Sequence, residues 1–168
     1  MHAKTLQQFD RVFREVKFRL EERTSDSDGL ICKQGFHKNS VVLKLQKVSW
    51  TNDRMDRIQS ESGIFFSIWV NEKSESKDQA NYNIHALKLR HLKGYSITSR
   101  DFAADFRTRF ASFQDHWPNV SVDYGPLTLM QGWIEAKPDA AERDILLLME
   151  RFHPVSSLID QLLDVRRS

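Results

Sequence analysis

With 168 residues, 40% of them hydrophobic and 11% aromatic, the chain carries enough apolar material for one core that buries roughly 70% of its unfolded surface, which excludes a disordered polypeptide. The longest aliphatic run outside the central strand, Ile145 to Met149, is far short of the about 20 residues a membrane span needs, and the N-terminus has no apolar signal segment. A single cysteine, Cys32, excludes an intramolecular disulfide and fits a reducing compartment, so one cytoplasmic domain over residues 1–168 is expected.

In chain order, Leu6, Phe9, Phe13, Val16 and Leu20 fall at helical spacing and predict an amphipathic helix from Lys4 to about Arg23, ended by the polar run Thr24 to Gly29. Val41 to Trp50 reads as a strand whose alternation slips near Gln46 and Lys47, as a bulge there would produce. After the polar connection Thr51 to Ser62 comes Ile64 to Val70, apolar in both parities, which predicts a strand covered on both faces and paired to its predecessor in a hairpin. Asn71 to Asn83 reads as a second polar segment. Leu87 and Leu89 then alternate with Lys88 and Arg90, giving a half-buried strand over Ile84 to Leu92.

Ser99 is placed to cap a helix reaching about Phe113, with Phe102, Phe106, Phe110 and Phe113 on one core-facing stripe. Val120 to Tyr124 and Leu127 to Ala136 flank the turn Gly125-Pro126 and predict a second hairpin, with a bulge at Gly132. Pro138 opens a helix that Pro154 ends, and Leu158, Ile159, Leu162 and Leu163 give a further helix its apolar face. The expected architecture is α+β: a mainly antiparallel sheet of about four to six strands packed with an N-terminal helix, a Phe-rich middle helix and two C-terminal helices.

No catalytic, metal or nucleotide signature emerges. The glycines form neither a dinucleotide fingerprint nor a phosphate loop, and His37, His85, His91, His116 and His153 never pair at i, i+4, so no cofactor or metal is expected. Cys32 and His37 lie too far apart in sequence to argue a thiolate and its base. Asp101 and Asp105 share a helix face, but Arg109 follows at i, i+4 and converts the pair into an ordinary surface ion pair.

The formal net charge is only +2, yet it is unevenly placed. Gly29 to Asn52 holds four lysines and no acid, Gln79 to Arg100 holds Lys88, Arg90, Lys93 and Arg100 and no acid, and Glu135 to Asp164 holds seven acids against three bases. The second window is a candidate binding stripe, flanked by Tyr82 and Tyr95 as stacking surfaces; phosphate backbones or an acidic protein partner would both suit it. Gln46, Trp50 and Trp69 offer hydrogen-bonding groups on large surfaces and are a candidate pocket, against the competing reading of a Trp packed under the N-terminal helix.

The N-terminal helix, the Gly35-Phe36-His37-Lys38 turn, the Gln46 to Trp50 run of the Gln-x-x-Ser-Trp type and Leu87-Lys88-Leu89-Arg90 together resemble a bacterial family known only as a domain of unknown function, over about residues 6–92. The resemblance implies a compact bacterial α+β domain and carries no activity, cofactor or catalytic residue. The expected function is a non-catalytic protein-binding module, of immunity or antitoxin type by size and charge, with partner and oligomeric state open. A nucleic-acid binder using the basic stripe is the first competitor, and an enzyme or small-ligand binder with a site assembled from scattered residues is the second.

Overall fold

A computed structural model describes residues 2–23, 29–53, 58 and 62–168, arranged as α1 (His2–Arg23), β1 (Leu30–His37), β2 (Ser40–Lys47), β3 (Gly63–Asn71), α2 (Glu72–Glu75), β4 (Gln79–Leu87), α3 (Ser99–Phe110), β5 (Thr128–Glu135) and α4 (Glu142–Asp164). The strands pair in chain order, β1-β2-β3-β4-β5, every neighbour antiparallel. The α+β class, the five-stranded antiparallel sheet and the β2–β3 hairpin match the sequence expectation. The Thr51 to Ser62 connection falls partly outside the described residues.

Because side chains alternate across a strand, β2, β3 and β4 each turn one set of residues toward the helices. Val41, Leu43 and Leu45 of β2, Ile64, Phe66, Ile68 and Val70 of β3, and Ala80, Tyr82 and Ile84 of β4 are buried on one face. The helices layer over that face: α1 packs on β1 and β2, α3 on β5, and α4 touches both other long helices. At the centre the Phe152 ring of α4 stacks on Phe66, 4.6 Å between centroids, with Trp117 edge-on to Phe66 at 5.7 Å. β3 is buried on both faces from Gly63 to Ile68, as expected, although the long helices cover only one of them. Phe65, Ser67 and Trp69 lie on the face opposite the helices, where Phe65 is shielded by the Lys44 ammonium and the His85 ring rather than by a second helical layer.

Other boundaries move for local reasons. The chain reverses at Lys38 and Asn39, with Lys38 in the left-handed region (φ 55°), so Gly35, Phe36 and His37 belong to β1 rather than to a turn. The slip at the end of β2 is a 3-10 turn, Val48–Trp50, not a bulge. The polar segment after β3 contains α2, closed by a reciprocal Asn71–Ser74 capping box, and the first half of β4. Lys88 (φ 57°) ends β4 and starts a second 3-10 turn, Leu89–His91, so the strand expected over Ile84 to Leu92 lies earlier. Thr98, not Ser99, caps α3, its hydroxyl oxygen accepting from the Asp101 amide. Val120 to Tyr124 forms no strand beyond the single Ser121–Gln131 bridge.

The two expected C-terminal helices are one, with Pro154 inside α4. An interior proline removes a backbone hydrogen bond and costs about 3 kcal/mol. Here Ile145, Leu148, Phe152, Val155, Ile159 and Leu162 stay in one buried stripe across it while Pro154 itself faces solvent, and that burial outweighs the lost bond. Gly132 does not mark the bulge in β5; the register shifts where Ile84 and His85 face Met130 and Thr128, which leaves Leu129 as the extra residue. Gly132 instead makes room for Tyr82, since a Cβ there would lie 2.4 Å from the phenol oxygen. That hydroxyl donates to the Pro118 carbonyl at 2.6 Å, and burial pushes its pKa up against the opposing charge of Arg151, which keeps it a donor.

Asp101 and Asp105 do share a cation, supplied by the chain itself. One Arg166 nitrogen donates to both carboxylates at 2.9 Å, and the guanidinium lies over the Phe102 ring at 5.5 Å. Replacing Arg166 by methionine keeps the stem and removes both bonds. An expected loss of about 2 kcal/mol in urea unfolding follows, because bonds to charged groups contribute more than neutral ones; an unchanged midpoint would show the clamp to be idle.

Candidate functional site

The face opposite the helices is built from the odd-numbered residues of β1 and β3 and the even-numbered residues of β2, and their register lines them up in rows across the sheet. One row is polar: Lys33, Lys44, Ser67, Asn83 and Gln131. The Ser67 hydroxyl donates to Asn83 Oδ1 at 2.8 Å, and the Asn83 amide donates to Gln131 Oε1 at 3.3 Å and meets His85 Nε2 at 3.0 Å. An amide N–H toward Nε2 makes that nitrogen an acceptor, so His85 carries its proton on Nδ1, facing the Leu127 carbonyl at 3.4 Å. The Ser67 hydroxyl is thereby committed to an amide that cannot take its proton. Serine–histidine nucleophilic chemistry is not set up here.

The next row along the strands is Gly35, Val42, Trp69, Asn81 and Trp133. Trp69, Asn81 and Trp133 are each partly exposed. Their side chains make no hydrogen bond to any described residue, which leaves two indole N–H groups and one amide without a partner among them. The tryptophans stand on β3 and β5, two strand spacings or roughly 9.5 Å apart.

Over β3 lies a cleft of about 310 Å³ lined by members of both rows. Ser40, Val42 and Lys44 form one wall, Asn83, His85 and Leu87 the other, Phe65, Ser67 and Trp69 the floor, with Ile58 above. Ile58 also touches the space beside Gly35, where a side chain would meet it at 3.6 Å. Lys44 is only 2% exposed, its ammonium 4.3 Å from the Phe65 ring centroid. The described lining thus combines aromatic surface, amide and hydroxyl groups and basic side chains, at the small end of the size range for ligand-binding clefts.

The residues singled out from sequence are distributed among three places. Trp69 is in the cleft. Gln46 shares its face but is fully engaged, its amide donating to the carbonyls of Ser62 and Ile64 at 3.2 and 3.0 Å. Trp50 is on the helix side, wholly buried against Phe152, with its indole N–H on Asp160 at 2.8 Å. These three do not form one pocket. Cys32 points into the helix-covered core and His37 to the opposite face, so they do not meet.

Lys88 and Arg90 do not form a strand stripe, because Lys88 leaves the sheet in a left-handed conformation and Arg90 follows in the 3-10 turn. Both are exposed, as are Lys93 and, on α3, Arg100. Tyr82, expected as a stacking surface, is buried in the core. Lys93 does line a second groove, with Lys47, Asn52, Tyr95 and Arg167; Asn52 holds its rim by donating to the His91 carbonyl and accepting from the Lys93 amide. In that groove Lys47 is already paired with Asp160 at 2.6 Å and Arg167 with Asp164 at 3.0 Å, which neutralises most of its basic character.

Sequence reasoning missed Asn81, Asn83, Gln131 and Trp133. Their signal was parity: amides and a tryptophan at every second position of β4 and β5, opposite the buried aliphatic set. Among the described residues no group of three His, Cys, Asp or Glu side chains is placed to hold a metal ion, and no described helix is long and apolar enough to cross a membrane. Comparison of the chain with protein-family models, with curated proteins and with solved structures finds no match.

Proposed function

We propose that this chain is a cytosolic bacterial protein-binding module without catalytic activity, and that it docks its partner on the sheet face opposite the helices. The observation that carries this reading is the row Trp69, Asn81, Trp133: partly exposed indoles on either side of an amide, whose side chains bond to no described residue. Tryptophan buries a large rigid surface at low entropic cost and dominates binding hot spots. The Ser67–Asn83–His85 chain supports the non-catalytic part, since its hydroxyl proton is directed at an amide. The resemblance of residues 6–92 to a bacterial domain of unknown function supplies the bacterial setting.

The test is capture of the partner from the host lysate by the tagged full chain, with and without nuclease, repeated with Trp69→Ala and with Lys88→Glu/Arg90→Glu. A nuclease-resistant protein in near-equal amount should be retained by the second variant. With Trp69→Ala its affinity should fall about 30-fold or more, the effect of losing a hot-spot tryptophan. Nuclease-sensitive capture lost with Lys88→Glu/Arg90→Glu would instead favour a nucleic-acid binder acting through the 88–93 turn.

A further inference from the structure

We infer that the row Trp69, Asn81, Trp133 receives a proline-rich segment of the protein partner in the polyproline II conformation, with prolines at i and i+3 seated on the two indoles. This rests on the docking face proposed above and adds the conformation and composition of what occupies it.

The spacing of the row sets the repeat of its occupant. Trp69 and Trp133 each stand directly opposite Asn81 on adjoining strands, so they lie two strand spacings, roughly 9.5 Å, apart on a line that crosses the sheet. A polyproline II helix has about three residues per turn and rises about 3.1 Å per residue, so residues i and i+3 share one side of it about 9.3 Å apart. An extended strand on the same line repeats at about 6.8 Å, which misses the second indole. Proline fixes φ for this helix in advance, so the segment loses little freedom on binding, and its apolar ring suits an aromatic face.

Hydrogen-bonding chemistry selects the same ligand. The row offers two indole N–H groups and the amide N–H groups of Asn81 against a single acceptor, the Asn81 oxygen, and no described residue uses them. The polar groups on either side are already engaged: Ser67, Asn83 and Gln131 bond to one another, and Asn71 caps α2. A donor-rich strip between satisfied neighbours calls for a ligand rich in acceptors and poor in donors. A polyproline II backbone makes no internal hydrogen bonds, so its carbonyls are free for outside donors, and each proline removes an N–H.

Charge decides what flanks the prolines. Glu135 follows Trp133 on the same face of β5, is exposed, and makes no ion pair with a described residue. At the opposite end of the row Ile58 stands against Gly35 on β1, two strands beyond Trp69. The occupant therefore spans β3 to β5, and a Lys or Arg shortly after the proline on Trp133 reaches the Glu135 carboxylate.

The test uses the ¹⁵N-labelled full chain and three capped peptides: acetyl-Pro-Ala-Ala-Pro-Ala-Arg-amide, its isomer acetyl-Ala-Pro-Ala-Pro-Ala-Arg-amide, and the same length with alanine at every proline. Indole N–H signals of Trp69 and Trp133 are assigned from Trp69→Phe and Trp133→Phe. The first peptide should shift both indoles together and bind at least about fivefold more tightly than its isomer and about tenfold more tightly than the alanine peptide. Trp69→Ala and Trp133→Ala should each abolish the preference between the isomers. Should those variants not fold, Asn81→Leu, which removes the central donors and leaves both rings, should weaken the first peptide about threefold or more. Glu135→Gln should weaken it about twofold at low salt and leave it unchanged at high salt.

Equal binding of the two proline isomers, a shift confined to one indole, or no shift from any peptide at about 1 mM overturns the inference. So does an acidic peptide, a single-stranded oligonucleotide or a neutral oligosaccharide that moves the same indoles more strongly than the first peptide. Failure of the docking reading is separately visible, because partner capture would then be insensitive to Trp69→Ala; capture that depends on Trp69 but is not competed by the first peptide discards the proline segment alone.

Discussion

Replacing Gly63 by alanine is expected to lower the melting temperature by about 6–16 °C, from a loss of about 3–4 kcal/mol in a chain of this size. Gly63 opens β3 with φ +78°, a conformation that costs an L-residue about 1–2 kcal/mol. The steric conflict is added to this. A Cβ would stand 2.1 Å from the Trp50 carbonyl oxygen and 2.9 Å from the Thr51 Cα, and both are backbone atoms that cannot rotate aside. Trp50 is itself fixed by Asp160 on its indole N–H and by the edge of Phe152. The 3-10 turn and the β3 entry must therefore separate, and with them the Gln46 bonds to Ser62 and Ile64. Thermal unfolding followed by far-UV circular dichroism reads the effect, and a shift under 2 °C would mean that this crossing is looser than its geometry.

Phe66→Ala should cost about 3–5 kcal/mol, the range for removing a fully buried ring. Phe66 is the point where sheet and helices meet: its ring stacks on Phe152 at an interplanar angle of 10°, meets Trp117 edge-on, and lies 6.2 Å from Tyr82. Its cross-strand neighbours Leu45 and Ile84 are held in the sheet, so the gap closes only in part. Phe65→Ala, one residue away on the opposite face, removes the same atoms from a site walled by Lys44 and His85 and should cost markedly less. Urea unfolding of the two variants measures the asymmetry directly; equal losses would show that the cleft face is packed as tightly as the helix-covered core.

Much of the fold was legible because burial imposes periodicity. The Phe9, Phe13, Val16, Leu20 stripe of α1, the Phe102, Phe106, Phe110 stripe of α3 and the β2–β3 pairing all follow from repeats of 3.6 and 2. β1 was not legible as a strand, because Cys32, Gln34 and Phe36 alternate with Lys33 and Gly35 without a clear apolar set, and its pairing to β2 is decided by the Lys38-Asn39 reversal. The proline in α4 misled for a related reason. A local rule for ending helices was outweighed by a buried stripe extending on both sides of it.

The candidate site was legible only at Trp69. Its other members come from β2, β4 and β5, and nothing local joins Lys44 to Asn83 or Asn81 to Trp133. The class of fold, the elements with strong periodicity and the aromatic nature of the core follow from apolar spacing alone, because they depend on which side chains must leave water and at what intervals. Which face of β3 the helices cover, the placement of Trp50 and Trp69 on opposite sides of the sheet, and the row of amides and indoles across β3, β4 and β5 emerge only on folding. Those depend on strand register and layer order, which are set by contacts between residues far apart in the chain.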